Sequence, residues 1–233
     1  MALLCEEDMK AIRFALFSFI LSAGVSGWAA DQKQFREVSF KTADGGDIFG
    51  NLYGKGDHAV VLAHGAIFNK ESWHPFASTL SEHSYRVLAI DFRGYGKSVP
   101  GSKGKALQED VLAAVSYLQR EGAKVISAIG GSMGGGAAAQ AAVESAEGDI
   151  HRLILLSPVP IKEPERIKAG KLIFIASKDE KLVPRIKDQY KRAPQPKKIV
   201  LLEGNAHAQH IFKTAKAQRL TELILEYLAE DHD

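Results

Sequence analysis

Gly130-Gly131-Ser132-Met133-Gly134 joins a short apolar run, Val125 to Ile129, to an alanine-rich stretch beginning at Ala137. A serine between glycines at this spacing, preceded by a strand-like run and followed by a helix-like one, is the pattern of a nucleophile elbow, a tight turn that presents the hydroxyl at its tip. The glycines are sterically required, because a sharp strand-to-helix reversal brings backbone too close for a Cβ at 130 or 134. A helix starting near Met133 aims free N–H groups and the positive end of its dipole at the serine, which suits an anionic intermediate. The chemistry would be nucleophilic acyl transfer. A serine hydroxyl is a poor nucleophile at its own pKa, so it needs a base within hydrogen-bond reach and an acid to orient that base. His207 and His210 are the candidate bases, and Asp179 with its neighbour Glu180 the candidate acids.

The elements that must position these residues follow from hydrophobic patterning. Continuous apolar runs lie at 59–63, 87–90, 125–129, 153–156, 172–175 and 199–202, as expected of strands buried on both faces. Between them, Leu107, Val111, Ala114, Val115 and Leu118 share one helical face, as do Leu220, Leu223, Ile224, Tyr227 and Leu228. Alternating strands and helices imply right-handed βαβ units and a parallel sheet covered on both sides. Two alternating runs, 35–40 and 48–52, flank Ala43-Asp44-Gly45-Gly46-Asp47 and read as an antiparallel hairpin at the sheet edge. Open sheets of this kind bind ligands beyond the carboxyl ends of their strands. His64-Gly65-Ala66, the loop 91–98, the elbow, Ser157-Pro158, Asp179 and His207 all fall there. Serine, aspartate and histidine come in that chain order.

Five motifs in sequence then resemble those of the α/β-hydrolase-fold serine hydrolases over residues 35–230: His64-Gly65, Asp91-Phe92-Arg93-Gly94-Tyr95-Gly96-Lys97-Ser98, the elbow, Asp179 followed by Val183-Pro184, and Gly204-x-x-His207. The segment His64 to Trp73 is similar to that of small dienelactone-hydrolase-like esterases. The resemblance implies a mostly parallel central sheet with helices on both faces, and it selects Asp179 over Glu180 as the acid and His207 over His210 as the base. It also implies an oxyanion hole built from the backbone N–H groups of Ala66 and Met133. His64, Asp91 and Arg93 are expected to shape loops, and Phe68, Trp73 and His74 are candidates to line a pocket. His207-x-x-His210 lacks the further ligands of a metal site, so no metal and no cofactor is expected.

Composition fits an enzyme of this size. The 233 residues are 45% hydrophobic and 25% charged with a net charge of +2, which is ordinary for a globular chain and shows no concentrated basic face for nucleic acid. Residues 1–30 stand apart: Lys10 and Arg13 precede the apolar run 14–25, and small residues Ala29-Ala30 precede Asp31. That is the order of a secretory signal peptide, with a run short of the about 20 apolar residues of a membrane span. Acidic Glu6-Glu7-Asp8 is foreign to such a leader, so translation is expected to start at Met9. Cleavage would leave residues 31–233 as one secreted or periplasmic domain without its single cysteine, Cys5, and without stable membrane association. An uncleaved N-terminal anchor is the alternative.

The expected activity is hydrolysis of carboxylic esters through an acyl-enzyme on Ser132, with a small-molecule ester as the partner. The same residues serve peptidases and thioesterases, and a non-catalytic binding protein on the same fold is the other class of reading. Only residues 159–170 separate Pro158 from the next apolar run, too few for a cap domain. A shallow pocket is therefore expected between the loops 66–74, 93–104 and 157–164, suited to short-chain esters.

Overall fold

The computed structural model describes residues 34–230. The expected leader, Cys5 and the expected start at Met9 lie outside the described residues. Eight strands form one sheet: β1 (Arg36–Lys41), β2 (Asp47–Tyr53), β3 (His58–Ala63), β4 (Arg86–Ile90), β5 (Val125–Gly131), β6 (Arg152–Leu156), β7 (Lys171–Ser177) and β8 (Lys197–Leu202). Their order is β1-β2-β4-β3-β5-β6-β7-β8. β1 and β2 make the antiparallel hairpin, with Val38 opposite Gly50, and β2 runs antiparallel to β4. Every other pairing is parallel. This is the α/β-hydrolase fold.

Two apolar layers result from the period-two alternation of the strands. In β3, Ala59, Val61 and Ala63 join one buried cluster while Val60 and Leu62 join the other; in β7, Leu172, Phe174 and Ala176 oppose Ile173 and Ile175. The first cluster is covered by α2 (Gln108–Arg120) and α3 (Met133–Glu144), and Ile186 of α4 (Val183–Arg192) also lies in it. The second is covered by α1 (His74–Glu82) and α5 (Ala217–Ala229). Leu220, Ile224, Tyr227 and Leu228 of α5 are the buried stripe that the sequence spacing predicts, each worth about 1.5–3 kcal/mol of burial.

One strand departs from expectation. The run 199–202 reads as buried on both faces, but β8 is the sheet edge and only Leu202 in it is fully buried. Lys197 and Lys198 instead cover Tyr190 and Tyr227 with their ammonium groups. Between β6 and β7 the described chain holds a single three-residue 3₁₀ turn, Pro164–Arg166. No cap domain is inserted there.

Candidate active site

The elbow forms because two glycines permit it. A Cβ at Gly130 would lie 2.3 Å from the Gly134 carbonyl oxygen, and one at Gly134 would lie 2.2 Å from the Ala63 carbonyl oxygen. Ser132 itself sits at φ 52°, ψ −112°, a conformation that L-residues rarely adopt, and holding it costs about 1–3 kcal/mol. Ser132 N–H donates to the Leu156 carbonyl at 2.9 Å, tying the turn to the end of β6. α3 begins at the next residue.

His207 reaches the serine. Its Nε2 lies 2.8 Å from Ser132 Oγ, and its Nδ1 lies 2.6 Å from Glu180 Oε2. The acid at the histidine is thus Glu180, and the expectation for Asp179 requires correction. In the turn after β7, Asp179 N–H donates to the Gly204 carbonyl at 3.0 Å, which leaves its carboxylate exposed while the next side chain turns inward. Glu180 is 7% exposed, and its extra methylene spans the distance from that turn to the imidazole. His210, by contrast, packs its ring 5.1 Å from that of Phe68.

Ser157 completes the arrangement. Buried at the end of β6, it donates from Oγ to Glu180 Oε1 at 2.5 Å and accepts from Ala208 N–H at 3.1 Å. One hydroxyl therefore holds both the carboxylate and the loop that carries the histidine. Ser157 (φ 43°) and Ala208 (φ 49°) are left-handed like Ser132, so three strained backbone positions meet at one site, where strain tends to be kept for function. With Glu180 accepting at Nδ1, the imidazole carries its proton there and leaves Nε2 free to accept the serine proton.

Two backbone N–H groups, one of them next to the elbow serine in the chain, are unspent. Neither Ala66 N–H nor Met133 N–H has an acceptor among the described residues. Tyr95 steadies both residues, donating to the Ala66 carbonyl at 2.9 Å and lying 3.9 Å from Met133 Sδ. Gln209 steadies the same loop from behind: its Oε1 accepts from Gly65 N–H at 2.7 Å and its Nε2 donates to Ser72 Oγ at 2.9 Å. Nothing in the spacing marks Ser157, Tyr95 or Gln209. The one available signal was position, since Ser157 directly follows an apolar run at the ligand-binding edge.

His64, Asp91 and Arg93 make hydrogen bonds that hold the loops around them. His64 is fully buried; Phe92 N–H donates to its Nε2 at 3.2 Å, so Nδ1–H donates to the Gly65 carbonyl at 2.9 Å. Burial holds its pKa below the usual histidine value, which keeps the ring neutral in that role. Asp91 accepts from the Lys70 backbone N–H and ammonium at 2.8 and 2.7 Å. Arg93 reaches Asp110 Oδ1 at 2.8 Å and both oxygens of Asp44 at 2.9 and 3.0 Å. Hydrogen bonds from Arg93 are the main cause that holds the Asp44 carboxyl well below the usual range, whereas burial raises that of Asp110.

Phe68 and Trp73 line a cavity of about 360 Å³, and His74 does not; its Nδ1 lies 3.2 Å from the Tyr53 hydroxyl. The opposite wall is Gln209, Phe212, Lys213, Ala217 and Thr221 rather than the loops 93–104 and 157–164. Val159, whose N–H donates to the Ser132 carbonyl at 3.0 Å, is 44% exposed, and Ile67, next to Ala66 in the chain, is 78% exposed.

Comparison with known proteins agrees with this fold. The model of the alpha/beta hydrolase family matches residues 60–176, and the chain belongs to that family. A non-heme chloroperoxidase of Streptomyces lividans is 34% identical over 123 residues, and a bifunctional esterase/perhydrolase of Acinetobacter calcoaceticus 32% identical over the same length. Each match covers 51% of this chain and 44% of the relative, so this chain spans less than half the length of either. Among solved structures, an esterase from Pyrococcus furiosus superposes with a TM-score of 0.70 at 21% identity, covering 83% of this chain and 90% of that one. An esterase from Exiguobacterium antarcticum gives 0.69 at 16% identity, covering 84% and 100%. These structures share the fold.

Proposed function

We propose that this chain is a serine hydrolase that cleaves short-chain, soluble carboxylic esters, with Ser132 as nucleophile, His207 as base and Glu180 as acid. The observation that carries the reading is the continuous hydrogen-bonded line from Ser132 Oγ through His207 to Glu180, at 2.8 and 2.6 Å. His207 Nε2 takes the serine proton as Oγ bonds to the ester carbonyl carbon, and Glu180 stabilises the imidazolium that forms. The carbonyl oxygen becomes an anion held by the N–H groups of Ala66 and Met133 at the N-terminus of α3. The imidazolium then gives its proton to the departing alcohol, leaving an acyl group on Ser132. Water, activated by the same histidine, releases the acid and restores the serine.

Preference for short acyl chains is supported by the exposure of Ile67 and Val159 and by the short β6–β7 connection, which carries no inserted cap. Each methylene that a substrate cannot bury forgoes about 0.8 kcal/mol. The nearer likeness to dienelactone-hydrolase-like esterases belongs to the same reading, as does export directed by residues 1–30. The deciding experiment is kcat/KM over p-nitrophenyl esters from acetate to palmitate, with thioesters and aminoacyl amides alongside. Activity on acetate and butyrate esters that falls beyond about eight carbons supports the proposal. A steady rise toward palmitate, or turnover of amides alone, contradicts it. N-terminal sequencing of exported protein is expected to find a start near Ala30 or Asp31; recovery of Met1 or Met9 would favour the anchor.

A further inference from the structure

The 360 Å³ cavity between the α1 side and the α5 side lies outside the hydrogen-bonded line of the site, since neither Ser132 nor His207 lines it. Its walls are largely apolar: Phe68, Trp73, Phe76 and Phe212 surround it. It exceeds about twice the 150 Å³ of a dry apolar cavity known to admit benzene, and falls within the usual ligand-pocket range of about 300–1,000 Å³.

The polar groups of its walls are unequal. The hydroxyls of Ser72, Thr79 and Thr221 each donate to a backbone carbonyl, of Asn69, Pro75 and Ala217 respectively. Both ends of the Gln209 amide are also in use, on Gly65 N–H and Ser72 Oγ. One accessible donor is left. Lys213 is exposed and forms no ion pair among the described residues, its ammonium standing 5.5 Å from the centroid of the Phe68 ring. The Trp73 indole Nε1–H also lacks an acceptor among the described residues, but that atom is buried. No carboxylate lines the cavity. A positive charge at the mouth, no negative one and aromatic walls select against cations and for an anion with an apolar body.

The geometry points to a second ligand site here, for an apolar monocarboxylate of medium chain length or a single aromatic ring, with the carboxylate at Lys213 and the body among the four aromatic side chains. The cavity adjoins the candidate active site along the chain. Phe68 lies two residues beyond Ala66, and Gln209, two beyond His207, holds Gly65 N–H.

The test titrates sodium octanoate, octan-1-ol and octylammonium separately into the full-length Ser132→Ala chain; none of the three is an ester, so the readout is binding and stands or falls independently of the proposed hydrolysis. Calorimetry gives the dissociation constants, and Trp73 emission reports on the cavity. Octanoate is expected to bind, and octylammonium about fivefold or more weaker. Ala217→Phe or Thr221→Phe, each placing a ring in the cavity, is expected to weaken octanoate tenfold or more, the worth of about two buried methylenes. Lys213→Gln is expected to cost octanoate about two- to fivefold and octan-1-ol nothing, the scale of an exposed charge pair. Two plugging variants keep the test readable if one fails to fold, as circular dichroism would show. Octanoate affinity unchanged in a folded plugged variant, equal affinity for octylammonium, or no octanoate binding overturns the proposal.

Discussion

Replacing Glu180 by Gln is the sharpest discrimination the site offers, because Asp179 is its immediate neighbour and the sequence motif favours the aspartate. The glutamine keeps the size and the amide oxygen can still accept from His207 Nδ1–H, so the ring stays in place while the negative charge is lost. The Glu180 side chain is only 4% exposed, so its interaction with an imidazolium is governed by the protein interior more than by water. Two unit charges about 4 Å apart at an effective dielectric of about 20 attract by about 4 kcal/mol. That term acts only when the histidine is protonated, in the transition state, so it appears in kcat at about a thousandfold and leaves KM nearly unchanged. Steady-state hydrolysis of p-nitrophenyl acetate by Glu180→Gln, Asp179→Asn and the parent chain measures it. Asp179→Asn is expected within about twofold of the parent, since its carboxylate is exposed and the hydrogen bond to His207 comes from Glu180. A large loss in Asp179→Asn with Glu180→Gln near the parent would refute the assignment of the acid.

Ser157→Ala removes the hydroxyl shared by Glu180 and Ala208 N–H; a hydrogen bond to a charged group is worth about 1.5–3 kcal/mol, so kcat is expected to fall by about tenfold or more, with Ser157→Thr recovering part of it in the same assay. Asp44→Asn breaks a buried pair with Arg93 and is expected to cost about 3 kcal/mol at neutral pH by urea unfolding. Because the folded Asp44 pKa lies below its ordinary value of 3.8, its contribution is full above that value and disappears as pH falls through the folded one; the gap between variant and parent should therefore begin to narrow below about pH 3.8 and close only below the folded pKa. Gly134→Ala forces a Cβ to 2.2 Å from the Ala63 carbonyl oxygen and is expected to lower the melting temperature and abolish activity together, since backbone on both sides of the clash has no room to move.

What the sequence made legible was whatever depends on local spacing. Continuous apolar runs located the central strands, and the glycines at 130 and 134 located the turn because their constraint is steric and local. Glu180 was not legible for the opposite reason. Which of two adjacent carboxylates points inward is decided by the bond from Asp179 N–H to Gly204 and by Ser157, partners 25 and 23 residues away in the chain. The cavity was not legible: Phe68 and Trp73 read as candidates for a pocket at the serine, and the wall at 209–221 comes from more than 130 residues later and reads as ordinary helix packing. β8 was misjudged in burial because strand order, which makes it an edge, leaves no trace in its composition.

The central claim is that Ser132 is a nucleophile activated by His207. Incubation with a small fluorophosphonate, followed by intact mass measurement and peptide mapping, tests it without assuming a substrate. The account predicts one adduct, on the peptide containing Ser132, absent in Ser132→Ala and formed at least about a hundredfold more slowly in His207→Ala, within the range that general-base catalysis supplies. An adduct that persists in Ser132→Ala, or labelling of the parent chain on another residue, would contradict it.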